Sequence, residues 1–473
     1  MLRPILVVAV FCVVLISAVA NAQNLCPLGT TSTKLICLIP QVYGPNGLLL
    51  QNTNSTVLGV APIQNGLPQA LSPLNTSIAR QASLVPLASP SSGITFSWDA
   101  ASKIFVASTE SYGPILSERA DTIGKYRIYV GFGYQYFSFT SNDGVDLKRL
   151  PAVFTQPDTL ATNLGPPPGT LCSINVPDGP ANKSQCGFIR DIVTSNNRID
   201  LKLHQYTTFV TFGVTNRIDV SMAIPIQNIR MAMSSVATLK DAGSGAHTFL
   251  GRTDCSPSCT TTSSNVGSAS GIGDITFRVK GTAWKGEKSA LGLGVDVRAP
   301  TGDAQNFLGA GAAGFTPFLV WSYHARISPH AFVGYEVNGS SVVAGDITTG
   351  KKERLPGELR YSGGADVWLT KRISAAFDLV GQQVFQAQRL SKTTFVEPLG
   401  CTDPSCDNLV APPAPTDPNL GSTIGSYNIT NASIGAKIKP FGNFVVTANV
   451  LIKLNDGGLR ATAVPLVGVS YTF

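Results

Sequence analysis

The chain has 473 residues, of which 13% are charged, and a formal net charge of +7. Soluble proteins carry about 25% charged residues, so a chain this poor in charge and rich in Gly (46) and Pro (31) departs from that class. The positive balance is mild and no Lys/Arg cluster or basic–aromatic interleaving appears, so no nucleic-acid partner is expected.

The first stretch, "MLRPILVVAVFCVVLISAVANAQ", has one basic residue, Arg3, then an apolar run from Ile5 to Ile16, closing on Ala20-Asn21-Ala22. That pattern predicts a signal peptide over 1–22, cleaved before Gln23. The run is short for a membrane helix, which needs about 20 residues. Cys26 follows Leu25 rather than a small residue, which argues against a lipoprotein. Beyond the signal no apolar run reaches the roughly 18 residues of a membrane helix. Residues 23–124 are rich in Gly, Pro, Ser and Asn, and "GITFSW" and "KIFVAST" are placed to pair as a hairpin across "DAAS". A periplasmic arm, a plug in a lumen and a loose exported linker all fit this stretch.

From Lys125 onward apolar residues alternate, the period of a strand with one apolar face. "KYRIYVGFGYQYFS" sends Tyr126, Ile128, Val130, Phe132, Tyr134 and Tyr136 to one side. "ALGLGVDVRAP" does the same with Leu291, Leu293, Val295 and Val297, and "FVVTANVLIKLN" with Phe444, Val446, Ala448, Val450, Ile452 and Leu454. The opposite faces carry Gly, Ser, Thr, Asn and scattered charges of both signs, as the polar interior of a membrane barrel does. The pattern predicts twelve strands: 125–141, 198–214, 218–238, 271–284, 288–300, 314–326, 329–341, 357–370, 373–389, 425–439, 443–455 and 461–473. Tight connections ("TNR", "KGE", "IS", "KR") alternate with long ones at 142–197, 239–270 and 390–424. Short periplasmic turns and long outer loops give that alternation. The expected fold is all-β: a transmembrane antiparallel up-and-down barrel over 125–473, preceded by a non-barrel segment. Its partner is outer-membrane lipid. The last strand, "ATAVPLVGVSYTF", carries no charge; in a closed barrel it pairs with the first and has no free edge. Tyr471 and Phe473 then sit where an interfacial aromatic girdle is expected.

Eight cysteines remain once Cys12 leaves with the signal, in four close couples: Cys26 and Cys37, Cys172 and Cys186, Cys255 and Cys259, Cys401 and Cys406. Sequence neighbours make the least costly loop closures, so four local disulfides are expected in an oxidising compartment. "CSPSC" and "CTDPSC" lack the Cys-x2-Cys spacing of zinc sites and have no His pair, so no metal and no cofactor is expected. The four histidines include His247, in an outer loop near Asp241 and Asp254, which reads as a solvated loop residue. No Gly-x-Ser-x-Gly elbow occurs, and no catalytic residue is assigned. By register, Arg127, Gln135, Asp274, Arg278, Lys280, Asp296, Arg298, Glu336, Asp366, Asp378, Gln382, Lys437 and Lys453 face the lumen. Two readings of this ladder stay open: it lines a pathway and sets selectivity, or it fills a narrow barrel.

Several stretches resemble a family of bacterial outer-membrane barrels labelled for a MetA-pathway of phenol degradation. They are "SERADTIGKYRIYVGFGYQYFSF", "DGVDL" at 143–147, "GIGDITFRVKG" at 271–281, "LGLGVDVRAPTGD" at 291–303 and "FVGYE" at 332–336. The resemblance is strongest between 271 and 336 and does not extend to 23–90. It implies passage of small hydrophobic or aromatic solutes across the outer membrane by passive diffusion. The ending on Phe473, with Tyr471, also resembles the signal that such barrels offer to their assembly machinery. The alternative is a structural or surface-display barrel with a closed lumen, whose disulfide-tied outer loops bind partners.

Overall fold

The computed structural model describes residues 25–27, 29–52, 61–63, 74–75, 77–78, 96–99, 104–107, 113–155, 192–240, 247–250, 259–347, 350–396 and 416–473. Twelve antiparallel strands close on themselves as a barrel. In chain order they are β1 (Ile128–Asn142), β2 (Ile192–Gly213), β3 (Ile218–Lys240), β4 in two parts (Cys259–Ile272 and Thr276–Lys285), β5 (Ser289–Arg298) and β6 (Gly314–Tyr323). The ring continues through β7 (Ile327–Asn338), β8 (Glu358–Thr370), β9 (Ile373–Val396), β10 (Thr416–Ile438), β11 (Phe444–Lys453) and β12 (Ala463–Thr472). It closes where Leu466 of β12 pairs with Gln135 of β1 and Thr472 pairs with Tyr129. The terminal strand therefore has no free edge, and the amide of Phe473 donates to Ile128 O at 2.8 Å.

Alternation along the strands sets the two faces. On β5 and β6, Leu291, Leu293, Phe315, Leu319 and Trp321 point outward and are exposed, while Asp296, Arg298, Thr316 and Ser322 are buried inside. Ten residues at about 3.3 Å each, tilted about 40°, span about 25 Å, the height of a lipid-facing belt. Aromatic residues mark its ends: Tyr126, Trp284, Phe441, Tyr471 and Phe473 near the short turns, and Tyr335 and Phe385 toward the long connections. Gly381 makes room for Tyr361, whose ring would clash with any side chain there. Tyr361 Oη donates to Asn428 Oδ1 at 2.9 Å on the outer rim of the same wall. Among the described residues no helix is long and apolar enough to cross a membrane, which says nothing of a barrel.

Four strands are longer than the alternation predicts: β2 begins at Ile192, β4 at Cys259 and β10 at Thr416, while β9 runs on to Val396. At 22 to 24 residues, β2, β3, β9 and β10 rise about 30 Å beyond the lipid belt. His204 lies within β2, facing outward. β4 breaks at Gly273-Asp274-Ile275; its outer part pairs with β3 from Leu239 to Ile226, and its inner part with β3 from Ala223 to Ile218. The hairpin foreseen in the N-terminal stretch forms, Phe96–Asp99 pairing with Ile104–Ala107. Cys26 and Cys37 are bridged, and Cys259 is also disulfide-bonded. Cys172, Cys186, Cys255, Cys401 and Cys406 lie outside the described residues.

Candidate functional site

The interior has two tiers. In the outer tier the inward faces of β2 and β3 are apolar: Ile199, Leu201 and Leu203 on one, Ile229, Met231 and Met233 on the other. They form one buried cluster with Leu35, Ile36, Leu38 and Ile39, together with Leu74 and Ile78. Gly267 on β4 leaves space into which Leu35 and Leu38 fit. Polar contacts fix the register of this segment. Lys34 Nζ donates to Asp303 Oδ2 at 2.9 Å, the Leu35 amide to Asn306 Oδ1 at 3.1 Å, and Ser263 Oγ to the carbonyl of Val42 at 2.6 Å.

The tier nearer the short turns is ionic. Arg278 binds both carboxylate oxygens of Asp296, at 2.7 and 2.7 Å. It also binds Glu118. Lys280 Nζ donates to Glu118 Oε1 at 2.9 Å and to the carbonyls of Arg119 and Asp121, each at 2.8 Å. Arg298 bridges Asp274 and Glu336, at 2.9 Å each. His330 sits between Asp378 (2.5 Å) and Asp366 (3.5 Å). Lys437 Nζ reaches the carbonyls of Gly113 and Pro114 at 2.8 and 2.7 Å. Buried charges of this kind persist when paired and hydrogen-bonded.

The residues assigned to the lumen by register lie as follows. Gln135, Asp274, Lys280, Asp296, Arg298, Glu336, Asp366, Asp378 and Lys437 are buried. Arg278 has 15% of its side chain exposed. Arg127 and Gln382 are half-buried. Lys453 lies apart, at the outer end of β11, paired with Asp456 at 2.7 Å. Register reasoning missed Glu118, Arg119 and Asp121, which come from the segment before β1 and meet the ladder. It also missed His330, which lies between Asp366 and Asp378.

Outside the spanning strands, His324 and Asp121 make a pair at the short-turn end, 2.5 Å apart. The bond to Asp121 raises the His324 pKa, with burial opposing. Burial would raise Asp121, but the His324 hydrogen bond and charge pull its carboxyl well below the usual range.

A closed ring with an apolar belt, aromatic ends and a polar interior at the level of the belt defines an outer-membrane-type β-barrel. Residues 196–387 match the family described as "Putative MetA-pathway of phenol degradation", the family that the sequence resembles. No curated protein matches the chain. Among solved structures, an outer membrane channel from Pseudomonas putida F1 is similar at 11% identity and TM-score 0.42, over 75% of this chain and 98% of that one. A FadL homologue from Pseudomonas aeruginosa is similar at 10% identity and TM-score 0.28, over 74% and 90%. The monoaromatic hydrocarbon channel TodX, as a deltaS2 mutant, is similar at 7% identity and TM-score 0.31, also over 74% and 90%.

Proposed function

We propose that the chain is a channel of the bacterial outer membrane, reached by export through a cleaved signal peptide. It passes small hydrophobic or aromatic solutes by passive diffusion, and residues 23–124 act as its plug. One observation carries the reading. The wall above the lipid belt turns an apolar, methionine-containing face inward, where a barrel that only had to stand in water would need none. Methionine side chains adapt to ligands of varied shape, and an apolar lining suits small hydrophobic molecules once the segment over it yields. Arg278, Lys280, Asp366 and Lys437, which reach Glu118, Arg119, Asp121, Gly113 and Pro114, then hold the plug closed from below. The plug's outer part is held mostly by apolar contact.

The ion-paired filling of the lower tier favours a second reading, a closed barrel that serves as a scaffold for its outer loops. Single-channel conductance with and without residues 23–124, joined to uptake of an aromatic fluorescent probe by porin-depleted cells, separates the two. A conducting barrel and probe uptake that depends on the chain support the channel. A silent barrel in both forms, with no gain in uptake, rejects it.

A further inference from the structure

Outward faces of β2 and β3 change character along their length. On β3 the outward residues run Ile218, Val220, Met222, Ile224 and Ile226, then Asn228 and Arg230. On β2 they run Phe212, Val210, Thr208 and Tyr206, then His204 and Lys202, with Arg198 two positions beyond Asp200. The strands are paired in register, so His204 stands opposite Asn228 and Lys202 opposite Arg230. On the neighbouring β1, Tyr136 stands opposite His204 and its ring lies 4.8 Å from the imidazole. The order is therefore hydrocarbon-facing residues, a row of aromatic and amide groups, then a row of two cations.

Like charges directly opposite on one face of an antiparallel pair repel. Asp200, on the same face of β2, is engaged with Lys202 at 3.1 Å. Arg230 is exposed and makes no hydrogen bond or ion pair among the described residues. Three other cations of the outer rim face an acid: Lys240 faces Asp417, Arg389 faces Asp143, and Lys453 faces Asp456. A juxtaposed Lys and Arg one step above the aromatic row matches an anion held at the level of lipid headgroups. Arg offers a fork for two phosphate oxygens and Lys a point charge.

We propose that Lys202 and Arg230, with Arg198 above them, form a binding site for the phosphate groups of a phosphorylated outer-leaflet glycolipid. The ring of Tyr136 and the exposed Ile226 beneath them lie where the lipid's sugar and acyl chains descend. The site rests on the outer-membrane reading above, but is independent of whether solute passes through the lumen.

The test uses the full chain folded in detergent micelles. Bound lipid is counted by native mass spectrometry with bisphosphorylated lipid A, its dephosphorylated form, or inorganic phosphate as competitor. Retention of the bisphosphorylated lipid should fall about fivefold in Arg230→Gln and about thirtyfold in Lys202→Gln/Arg230→Gln, as expected for roughly one interfacial charge each. Lys453→Gln, on β11 three strands from β2, should retain as wild type does. Dephosphorylated lipid A should bind weakly, and inorganic phosphate at equal concentration should not displace the lipid. Equal retention by wild type and the double variant, or by both forms of lipid A, would overturn the site. Equal competition by inorganic phosphate would make it a free-anion site and overturn the lipid assignment. A chain lacking the heat-modifiable band of a folded barrel would sink the outer-membrane reading, and the site with it.

Discussion

Glu118→Gln isolates the hold of residues 113–124 on the barrel. The Glu118 side chain is 3% exposed and serves two cations, Arg278 and Lys280. Gln keeps the shape and removes the charge. Breaking a buried pair by removing one partner costs about 3–5 kcal/mol. Both cations keep other acceptors: Arg278 retains Asp296 at 2.7 Å, and Lys280 retains two carbonyls at 2.8 Å. The lower end, about 3 kcal/mol, is therefore appropriate, and it corresponds to about 150-fold in the balance between seated and released segment. The barrel wall itself loses nothing, since every strand pair is intact. Limited trypsin digestion of the full chain in micelles should then cut after Arg119 far faster in the variant, while the heat-modifiable band stays. If Arg119 is cut at the wild-type rate in a folded variant, the ion pairs do not hold this segment and the lower-tier argument fails.

The lipid face gives a second expectation: Leu293, 50% exposed near the middle of β5, replaced by Arg should cost about 2–4 kcal/mol of insertion. Asp296→Asn should cost insertion far less, and equal urea midpoints for folding into vesicles would show the β5 register to be wrong. His324 gains its proton affinity from Asp121, so its folded pKa lies above the unfolded value of about 6.5. Its contribution is complete below that value and is lost as pH rises through the raised folded pKa. Trypsin cutting after Arg119 should thus quicken on the alkaline side, and His324→Gln should remove that dependence; a profile shared by both proteins refutes it. Deleting Phe473 should impair insertion in cells yet leave refolding into vesicles near wild type, because interfacial substitutions cost only about 0–1 kcal/mol; normal insertion in cells would remove the terminal aromatic from any assembly signal. Non-reducing peptide mapping should link Cys172 to Cys186 and Cys401 to Cys406, and links across couples would refute local pairing.

The twelve strands were legible because lipid imposes a strong rule: outward positions within the belt are apolar or, as at Thr208, uncharged. Val130, Leu293, Leu319 and Val469 obey it, and each exposes its side chain. Above the belt the rule inverts. On β2 the outward residues become Lys202, Asp200 and Arg198, and the inward ones Leu203, Leu201 and Ile199. The period stays at two but its phase flips near His204, and the strand runs on to Ile192 with its apolar residues facing inward. The outer part of β4 has little amplitude to detect: Val266 and Ile272 stand outward among Thr262, Ser264, Ser268 and Ser270, with Ser263, Gly267 and Gly271 inward. The charged ladder was legible by parity alone. Its partners Glu118, Arg119 and Asp121 were not, because they lie on no strand and no period marks them.

The same inversion bears on how a plug of this kind could yield. Apolar inward rows above the lipid would face water if nothing covered them, so Leu35, Ile36, Leu38 and Ile39 are held there by burial. Burial is non-directional and answers to any apolar surface of fitting size. The ionic tier is directional, and an uncharged solute offers nothing to Arg278 or Lys280. On the transport reading, a hydrophobic solute competes with the outer part of the segment and leaves the inner latch untouched. Entry into the outer chamber and passage to the periplasm are then separate steps under different forces. Glu118→Gln should accordingly raise conductance without changing solute affinity in the outer chamber, whereas Met231→Gln should weaken that affinity and leave the latch closed. If both variants changed both quantities alike, the two tiers would be one cooperative unit, and the division drawn from their chemistry would be wrong.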